Sequence, residues 1–309
     1  MSRLSVVGFP SSAGSYAAGQ DLAPAALRAA GLIEALARAG VDVHDDGNLP
    51  AQVWHPDREH PLAQNVGDVV SGLQSLAARL RPLFERGDRV LVLGGDCTIV
   101  LAAMAALADD DQMAGLAYFD RHYDLNTPSS TTDGALDWMG LAHGLDLPNA
   151  IPELVAAFGR RPLLVPSQIA WLGVESEPAT NWEQLHAASL ELHVATSEAL
   201  AAEPAAAASA ALRALPTGPL AVHIDVDVLD FTDAPLAENT DGRNTGPNLD
   251  QLAAALETMA RDPRMRALTI GELNPTRSAG DSDALTRFIQ VIVRVLSEPS
   301  DGAFIHQAE

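Results

Sequence analysis

Short, uninterrupted apolar runs recur along this chain, separated by segments with helical spacing. The clearest runs are Arg89–Leu93 (Arg-Val-Leu-Val-Leu), Gly115–Phe119, Ile169–Val174, 220–224 and 267–270. Each is too short for a typical helix and lacks polar alternation, so each predicts a strand buried on both faces. Residues 4–9, 41–44, 162–165 and 190–194 predict further strands. Between them, 24–39, 62–84, 98–107, 199–215, Leu249–Ala260 and Ala284–Leu296 read as helices, most with apolar side chains at helical intervals. Pro24 suits a first helical turn and Gly40 a C-terminal stop. Such alternation predicts an α/β chain, a three-layer α/β/α sandwich with a central, mainly parallel sheet. No Gly/Ser linker and no internal repeat interrupts it, so residues 1–309 are expected to form a single domain.

In open parallel sheets, ligands gather beyond the carboxyl ends of the strands. Three predicted strands run into chemistry-bearing side chains at that end. They lead into Gly94-Gly95-Asp96-Cys97, into Asp120-Arg121-His122-Tyr123-Asp124, and into Asp225-Val226-Asp227. Alternate residues of extended chain share a face, so Asp120, His122 and Asp124 can aim at one point, as can Asp225 and Asp227. Carboxylates brought together repel one another and are costly to bury. Two divalent cations would neutralise them. An oxygen-rich set with one imidazole suits Mn²⁺, while a thiolate from Cys97 shifts the preference toward softer ions. A metal pair about 3.5–4 Å apart can hold a hydroxide that is nucleophilic at neutral pH. A lone Asp-x-His-x-Asp is a weak signal, and a lone cysteine is more often a core residue. The three motifs together, each at a strand end, carry the reading.

The charge balance narrows the partners. With 41 acidic and 19 basic side chains, the formal net charge is −22. Such a surface repels phosphate backbones and anionic membranes, so neither nucleic acid nor membrane is an expected partner. A single cysteine excludes an intrachain disulfide. The N-terminal apolar stretch is short for a secretory signal, and the expected location is the cytoplasm. His223, two residues before Asp225, faces the same side and reads either as a support for a ligand or as a structural histidine. His143 and His186 read as surface residues, Asp96 as a turn or cap residue, and Asp109-Asp110-Asp111 as a solvated loop.

Taken together, these segments resemble the arginase, or ureohydrolase, family over nearly the whole chain. Val6-Val7-Gly8-Phe9-Pro10 with Gly14 and Gly19 is similar to the family's opening strand and loop. Gly94-Gly95-Asp96-Cys97 resembles its Gly-Gly-Asp-His motif, and Asp120 through Asn126-Thr127-Pro128 resembles the metal strand of arginases. Asp225-Val226-Asp227-Val228-Leu229-Asp230 is similar to the second metal strand, and Glu272-Leu273-Asn274-Pro275 to the Glu-x-Asn-Pro motif.

The resemblance implies an arginase/deacetylase-like sandwich, a binuclear manganese site, a small guanidino-type substrate and a homo-oligomer, trimer or hexamer. By position, Cys97, Asp120, Asp124 and Asp225 would hold one metal, and His122, Asp120, Asp225 and Asp227 the other. Asp124 would orient the bridging hydroxide, Glu272 would face the guanidinium, and Asn126 falls where arginases touch the substrate's α-carboxylate. Three departures stand out. Cys97 replaces the ligand histidine. Asp137 falls where the family has a proton-shuttle histidine. Pro178 and Asn181 fall where it has acidic contacts to the substrate amine, with Glu177 as a nearby substitute. Asp133 and Asp137 together suit a substrate with additional donors or cationic charge. The expectation is a hydrolase of a guanidino or N-hydroxyguanidino group on an arginine-like amino acid, releasing urea or hydroxyurea plus an amine. The alternatives are a catalytically altered homologue with a binding or regulatory role, or a formimino-group hydrolase.

Overall fold

The buried apolar runs become neighbours in one sheet. The computed structural model describes residues 2–108, 112–175, 179–240 and 244–297. Its strands are β1 (Leu4–Gly8), β2 (Val43–Asn48), β3 (Arg89–Leu93), β4 (Gly115–Phe119), β5 (Ile169–Val174), β6 (His193–Thr196), β7 (Leu220–Asp225) and β8 (Met265–Gly271). Their order is β2-β1-β3-β8-β7-β4-β5-β6, and every pairing is parallel. The interior strands are almost wholly buried, as continuous apolar runs require, whereas the edge strand β2 (Val-His-Asp-Asp-Gly-Asn) exposes polar residues.

Helices cover both faces. In chain order they are α1 (Ala23–Ala29), α2 (Leu32–Arg38), α3 (Val66–Glu85), α4 (Ile99–Leu107), α5 (Gly140–Gly144), α6 (Pro152–Val155), α7 (Asn181–Ser189), α8 (Ser197–Ala202), α9 (Pro204–Ala214), α10 (Leu249–Ala260) and α11 (Ala284–Leu296). One apolar layer joins α1, α2 and α8 through α11 to Leu4, Val6, Leu91, Phe119 and Ile224. The other joins α3 through α6 to Val7, Val90, Val92, Leu116 and Trp171. The result is the three-layer α/β/α sandwich. Among the described residues, no helix is long and apolar enough to cross a membrane.

Some expected boundaries change. The helix expected over 24–39 divides because Gly31 takes a left-handed conformation, φ 87°, between α1 and α2. The helix expected over 199–215 divides at Pro204, which lacks the N–H that would continue α8 into α9. Residues 162–165 form no strand. The Leu164 amide donates to Gly144 O (2.9 Å) and the Val165 amide to the Gln168 side chain (2.9 Å), away from any ladder. The strand expected over 190–194 starts later, at His193. The Asp109-Asp110-Asp111 run lies outside the described residues.

Four central neighbours, β3, β8, β7 and β4, lie side by side, so their carboxyl ends deliver Cys97, Glu272, Asp225 and Asp120 to one place.

Candidate metal centre

Two glycines turn the chain out of β3. Gly94 and Gly95 adopt φ 80° and 96°. A Cβ would lie 2.7 Å from Pro24 Cδ at Gly94 and 2.6 Å from Ile99 Cγ2 at Gly95, so only glycine fits. The turn seats Asp96, whose carboxylate accepts from the Gly14 amide (3.0 Å) and the Thr98 amide (3.1 Å). Asp96 therefore acts as a turn residue, and it pins the loop after β1 to the site. Next, the Cys97 amide donates to Glu272 Oε1 (3.0 Å).

Asp124 and Glu272 both adopt positive φ, 53° and 60°. Such backbone strain is worth about 1–3 kcal/mol per residue and persists only where surroundings enforce it. Here the Glu272 amide donates to Gly95 O (3.0 Å), and the Ala142 amide donates to Asp124 O (3.0 Å).

The side chains converge. Asp120, His122, Asp225 and Asp227 bring one donor atom each within 4.8 Å of one another, and Cys97, Asp120 and Asp124 do the same. Asp120 belongs to both groupings. Cys97 Sγ lies 3.1 Å from Asp225 Oδ2, which links the two. His122 Nδ1 lies 3.3 Å from Asp120 Oδ1 and 3.2 Å from Asp227 Oδ2. All of these side chains are buried except His122, which is partly so.

Their electrostatics follow from crowding. Burial, then the neighbouring Asp227, raises the Asp120 carboxyl to about 6. Burial and Asp120 push Asp124 well above the ordinary carboxylate range, and burial and Asp227 do the same to Asp225. Asp227 is also penalised by burial, but the His122 imidazole brings it below its usual value. Burial works against the charged form of His122, yet Asp227 and Asp120 hold its pKa well above normal. Burial and Asp225 push the Cys97 thiol upward.

This donor set fits a pair of divalent ions. It is mostly carboxylate oxygen with one imidazole and one sulfur, and its members are destabilised by their own like charge. Asp227 Oδ1 is buried with no hydrogen-bond partner among the described residues, a state that a cation would relieve.

The cluster opens into a cavity of about 410 Å³ whose further walls include Tyr16, Asp133, Asp137, Trp138, Glu238 and Arg277. Asp133 and Asp137 thus reach the same space as the ligand cluster. Burial, then Asp96, raises the Asp137 carboxyl to about 8. Glu272 is pushed well up by burial, Asp137 and Asp96. Asn126 is not among the cavity-lining residues. Its side chain is buried, and its Oδ1 accepts from the Ser130 and Thr180 hydroxyls, both at 2.8 Å. Glu177 and Pro178 lie outside the described residues, and Asn181 opens α7. His143 is not a surface residue. It is buried at 1% exposure on α5, its Nδ1 is 2.7 Å from Met139 O, and burial lowers its pKa to about 4.

Sequence reasoning missed Tyr16, Tyr118, Glu238 and Arg277. Tyr118 sits two residues before Asp120, so strand alternation already placed it on the ligand side. Its hydroxyl donates to Asp124 Oδ2. Arg277, five residues after Glu272, carries no local motif. It donates through Nε (3.2 Å) and Nη2 to the buried Glu238 carboxylate.

The surroundings of Cys97 make one substitution informative. Besides Asp225 Oδ2 at 3.1 Å, Sγ has His223 Nε2 at 3.3 Å. An imidazole at position 97 meets both. Cys97→His alone is expected to lose metal and melt earlier, with overpacking worth about 1–3 kcal/mol. Adding His223→Ser makes room, and the double variant should regain both properties beyond additivity. Elemental analysis and thermal melts check this. Full metal content and an unchanged melt in the single variant would show that the space exists already.

The Arginase family model matches residues 2–296. The arginase of Bacillus caldovelox is 32% identical over 179 residues, 57% of this chain and 59% of that protein, so the sequence match spans less than two thirds of the relative's length. A crystal structure of arginase from Bacillus subtilis superposes with a TM-score of 0.82 at 25% identity, covering 96% of this chain and 99% of that one. Formimidoylglutamase from Bacillus subtilis shares the fold, with a TM-score of 0.70 at 18% identity over 96% of this chain and 86% of its own. A parallel sheet in this strand order, acidic strand ends that meet at one cavity, and a family match running from the first strand through the last helix lead to one conclusion: this chain belongs to the arginase family.

Proposed function

We propose that this chain hydrolyses the guanidino or N-hydroxyguanidino group of an arginine-like amino acid to urea or hydroxyurea and an amine, with two divalent metal ions. The observation that carries the reading is the pair of donor groupings sharing Asp120 and opening into the cavity that Glu272 lines. Cys97, Asp120, Asp124 and Asp225 would hold one ion; His122, Asp120, Asp225 and Asp227 would hold the other. Mn²⁺ suits the oxygen donors, and Cys97 draws the first position toward a softer ion. Bound ions would supply charge neutralisation, Lewis acidity and activation of a water molecule.

The chain's own residues do the rest. Glu272 is fixed by the Cys97 amide on one oxygen and by Gln20 Nε2 (3.0 Å) on the other. A carboxylate so oriented pairs with a planar guanidinium, whose positive charge offsets the burial and repulsion acting on Glu272. Asp124, steadied by the Tyr118 hydroxyl, is placed to orient the attacking water. Asp137, whose carboxyl burial and Asp96 raise to about 8, is a candidate to give a proton to the leaving nitrogen. An N-hydroxylated guanidine is less basic than a guanidine, which lessens the demand for a histidine shuttle.

Arg277 provides a cation in the cavity wall. Glu238 engages its Nε and Nη2, and Nη1 has no acceptor among the described residues, so it can meet a substrate carboxylate. Arg277→Gln is expected to raise KM about 10–100-fold with a smaller effect on kcat, the worth of one charge-assisted hydrogen bond. Steady-state kinetics with a carboxylate substrate and its decarboxylated analogue test this, since the analogue should not discriminate between variant and parent.

The function itself is tested by reconstituting the full chain with Mn²⁺, measuring bound metal, and assaying guanidines, N-hydroxyguanidines and formimino compounds for urea, hydroxyurea and formamide. Release of urea or hydroxyurea supports the reading. Formamide release favours the formimino alternative. Well under one metal per chain with no product favours a binding or regulatory homologue.

A further inference from the structure

Two residues beneath the ligand row, three adjacent strands carry polar side chains at one level of the sheet. Tyr118 on β4 is in register with His223 on β7, and His223 with Thr269 on β8. All three are buried, at 0%, 0% and 1% exposure, where a polar group needs a partner. The Tyr118 ring stacks on His223 with centroids 4.7 Å apart and planes 16° from parallel. His223 Nδ1 is 2.7 Å from Thr269 Oγ1, and Nε2 is 3.3 Å from Cys97 Sγ.

We propose that Thr269 and His223 form a relay that donates a hydrogen bond to the Cys97 sulfur, making His223 a positioning residue for a thiolate metal ligand. The inference rests on the metal-centre reading above. A thiolate has no proton to give, so the proton on the imidazole belongs on Nε2. Nδ1 then accepts, and the Thr269 hydroxyl is the group that donates to it. The opposite tautomer would aim an Nε2 lone pair at an anionic sulfur. Stacking on Tyr118 fixes the ring plane, and the strand register fixes the height of all three side chains. The row lies on three neighbouring central strands of the sheet, and a hydrogen bond from a regular element holds a ligand in place better than one from a loop.

The relay answers a problem peculiar to this site. A thiolate at Cys97 faces Asp225 Oδ2 at 3.1 Å and Asp120 Oδ2 at 4.0 Å, and so adds negative charge to a crowded anionic cluster. An N–H donor on its far side draws off part of that charge and holds Sγ in one rotamer.

The test uses the full chain loaded with Co²⁺, whose bond to a thiolate gives a near-ultraviolet charge-transfer band. The parent protein should show the band and Cys97→Ser should lack it. A hydrogen bond lowers the energy of the sulfur lone pair, so His223→Leu should move the band to lower energy and weaken Co²⁺ retention about 10–100-fold. His223→Gln, which restores an N–H near Nε2, should return most of both. Thr269→Val keeps the shape of the side chain and should shift the band the same way by less, which preserves the test if His223→Leu fails to fold. An unchanged band and affinity in both His223→Leu and Thr269→Val overturns the relay while leaving the metal centre intact. A parent protein that retains Co²⁺ without any thiolate band overturns the relay and removes Cys97 from the ligands, and one that retains no Co²⁺ overturns the metal centre with it.

Discussion

Asp120→Ala is expected to abolish retention of both metal ions and to reduce turnover at least about 10³-fold, because metal catalysis supplies several kcal/mol and each 1.36 kcal/mol is a factor of ten. Asp120 is the side chain common to both donor groupings, and it is fully buried at the end of β4. Its loss removes a donor from each ion at once and leaves the backbone strand untouched. The Asp120 carboxylate also accepts from the His122 amide at 2.6 Å, so the substitution frees the next ligand as well. Two measurements separate loss of metal from loss of fold. Ligand binding to the native state raises stability by RT ln(1 + [L]/Kd), about 2.7 kcal/mol at a hundredfold excess over Kd. Added Mn²⁺ should therefore raise the melting temperature of the parent and not of Asp120→Ala, while circular dichroism of the two stays alike. Near-parental metal content in the variant would contradict the shared-ligand assignment.

Asp137→Asn should cost about 10²–10⁴-fold in kcat, the range for loss of a general acid, and should remove the high-pH limb of the rate profile. The Asp137 carboxyl is raised to about 8, first by burial and then by Asp96, with Asp133 adding to it. Cations in the proposed adjoining centre would pull it down toward neutrality. Activity that needs the protonated acid then falls as pH rises through a limb at or somewhat below that value. Stability carries the same signature. A carboxyl whose folded pKa lies above its unfolded value of about 4 binds more protons when folded, so stability is fully present below the unfolded value and is lost as pH rises toward the folded one. Asparagine does not titrate, so Asp137→Asn should melt with a flatter pH dependence between about pH 4 and 8. Parallel profiles for both proteins, in rate and in melting temperature, would remove Asp137 from the proton path. Asp96, Glu272 and Tyr16 share its electrostatic neighbourhood, so the observed limb belongs to the group and the comparison with the variant isolates one member.

The departures from the family pattern are spatially linked. Cys97 stands against His223, and Asp137 against Asp96 and Glu272. At position 97, where the resemblance implies a ligand histidine, the cysteine is touched by the imidazole two residues before Asp225. At position 137, where it implies a shuttle histidine, burial and neighbouring charge bring the carboxyl into the range where an imidazole titrates.

How much of this was legible in the residues depends on how local the signal is. β3, β4 and β5 begin and end where the apolar runs do, because a strand buried on both faces needs continuous hydrophobicity, and the residues that follow are Gly94, Asp120 and Glu175. The splits at Gly31 and Pro204 went unread since apolar spacing continues on both sides of each. Residues 162–165 are apolar but spend their amides elsewhere. His143 reads as polar and therefore exposed, and only packing turns its face of α5 inward.

The amino-acid order by itself determined the layered α/β architecture and the chemical character of the proposed metal ligands, since both follow from hydrophobic period and from side chains adjacent to strand ends. The tertiary structure alone decided that Tyr118, His223 and Thr269 stand level beneath those side chains, that Arg277 and Glu238 wall the same cavity as Asp137, and that the Asn126 carbonyl is held by the Ser130 and Thr180 hydroxyls. The reason is register and loop closure. Both are long-range properties, and a slip of one residue would send every one of those side chains to the opposite face of the sheet.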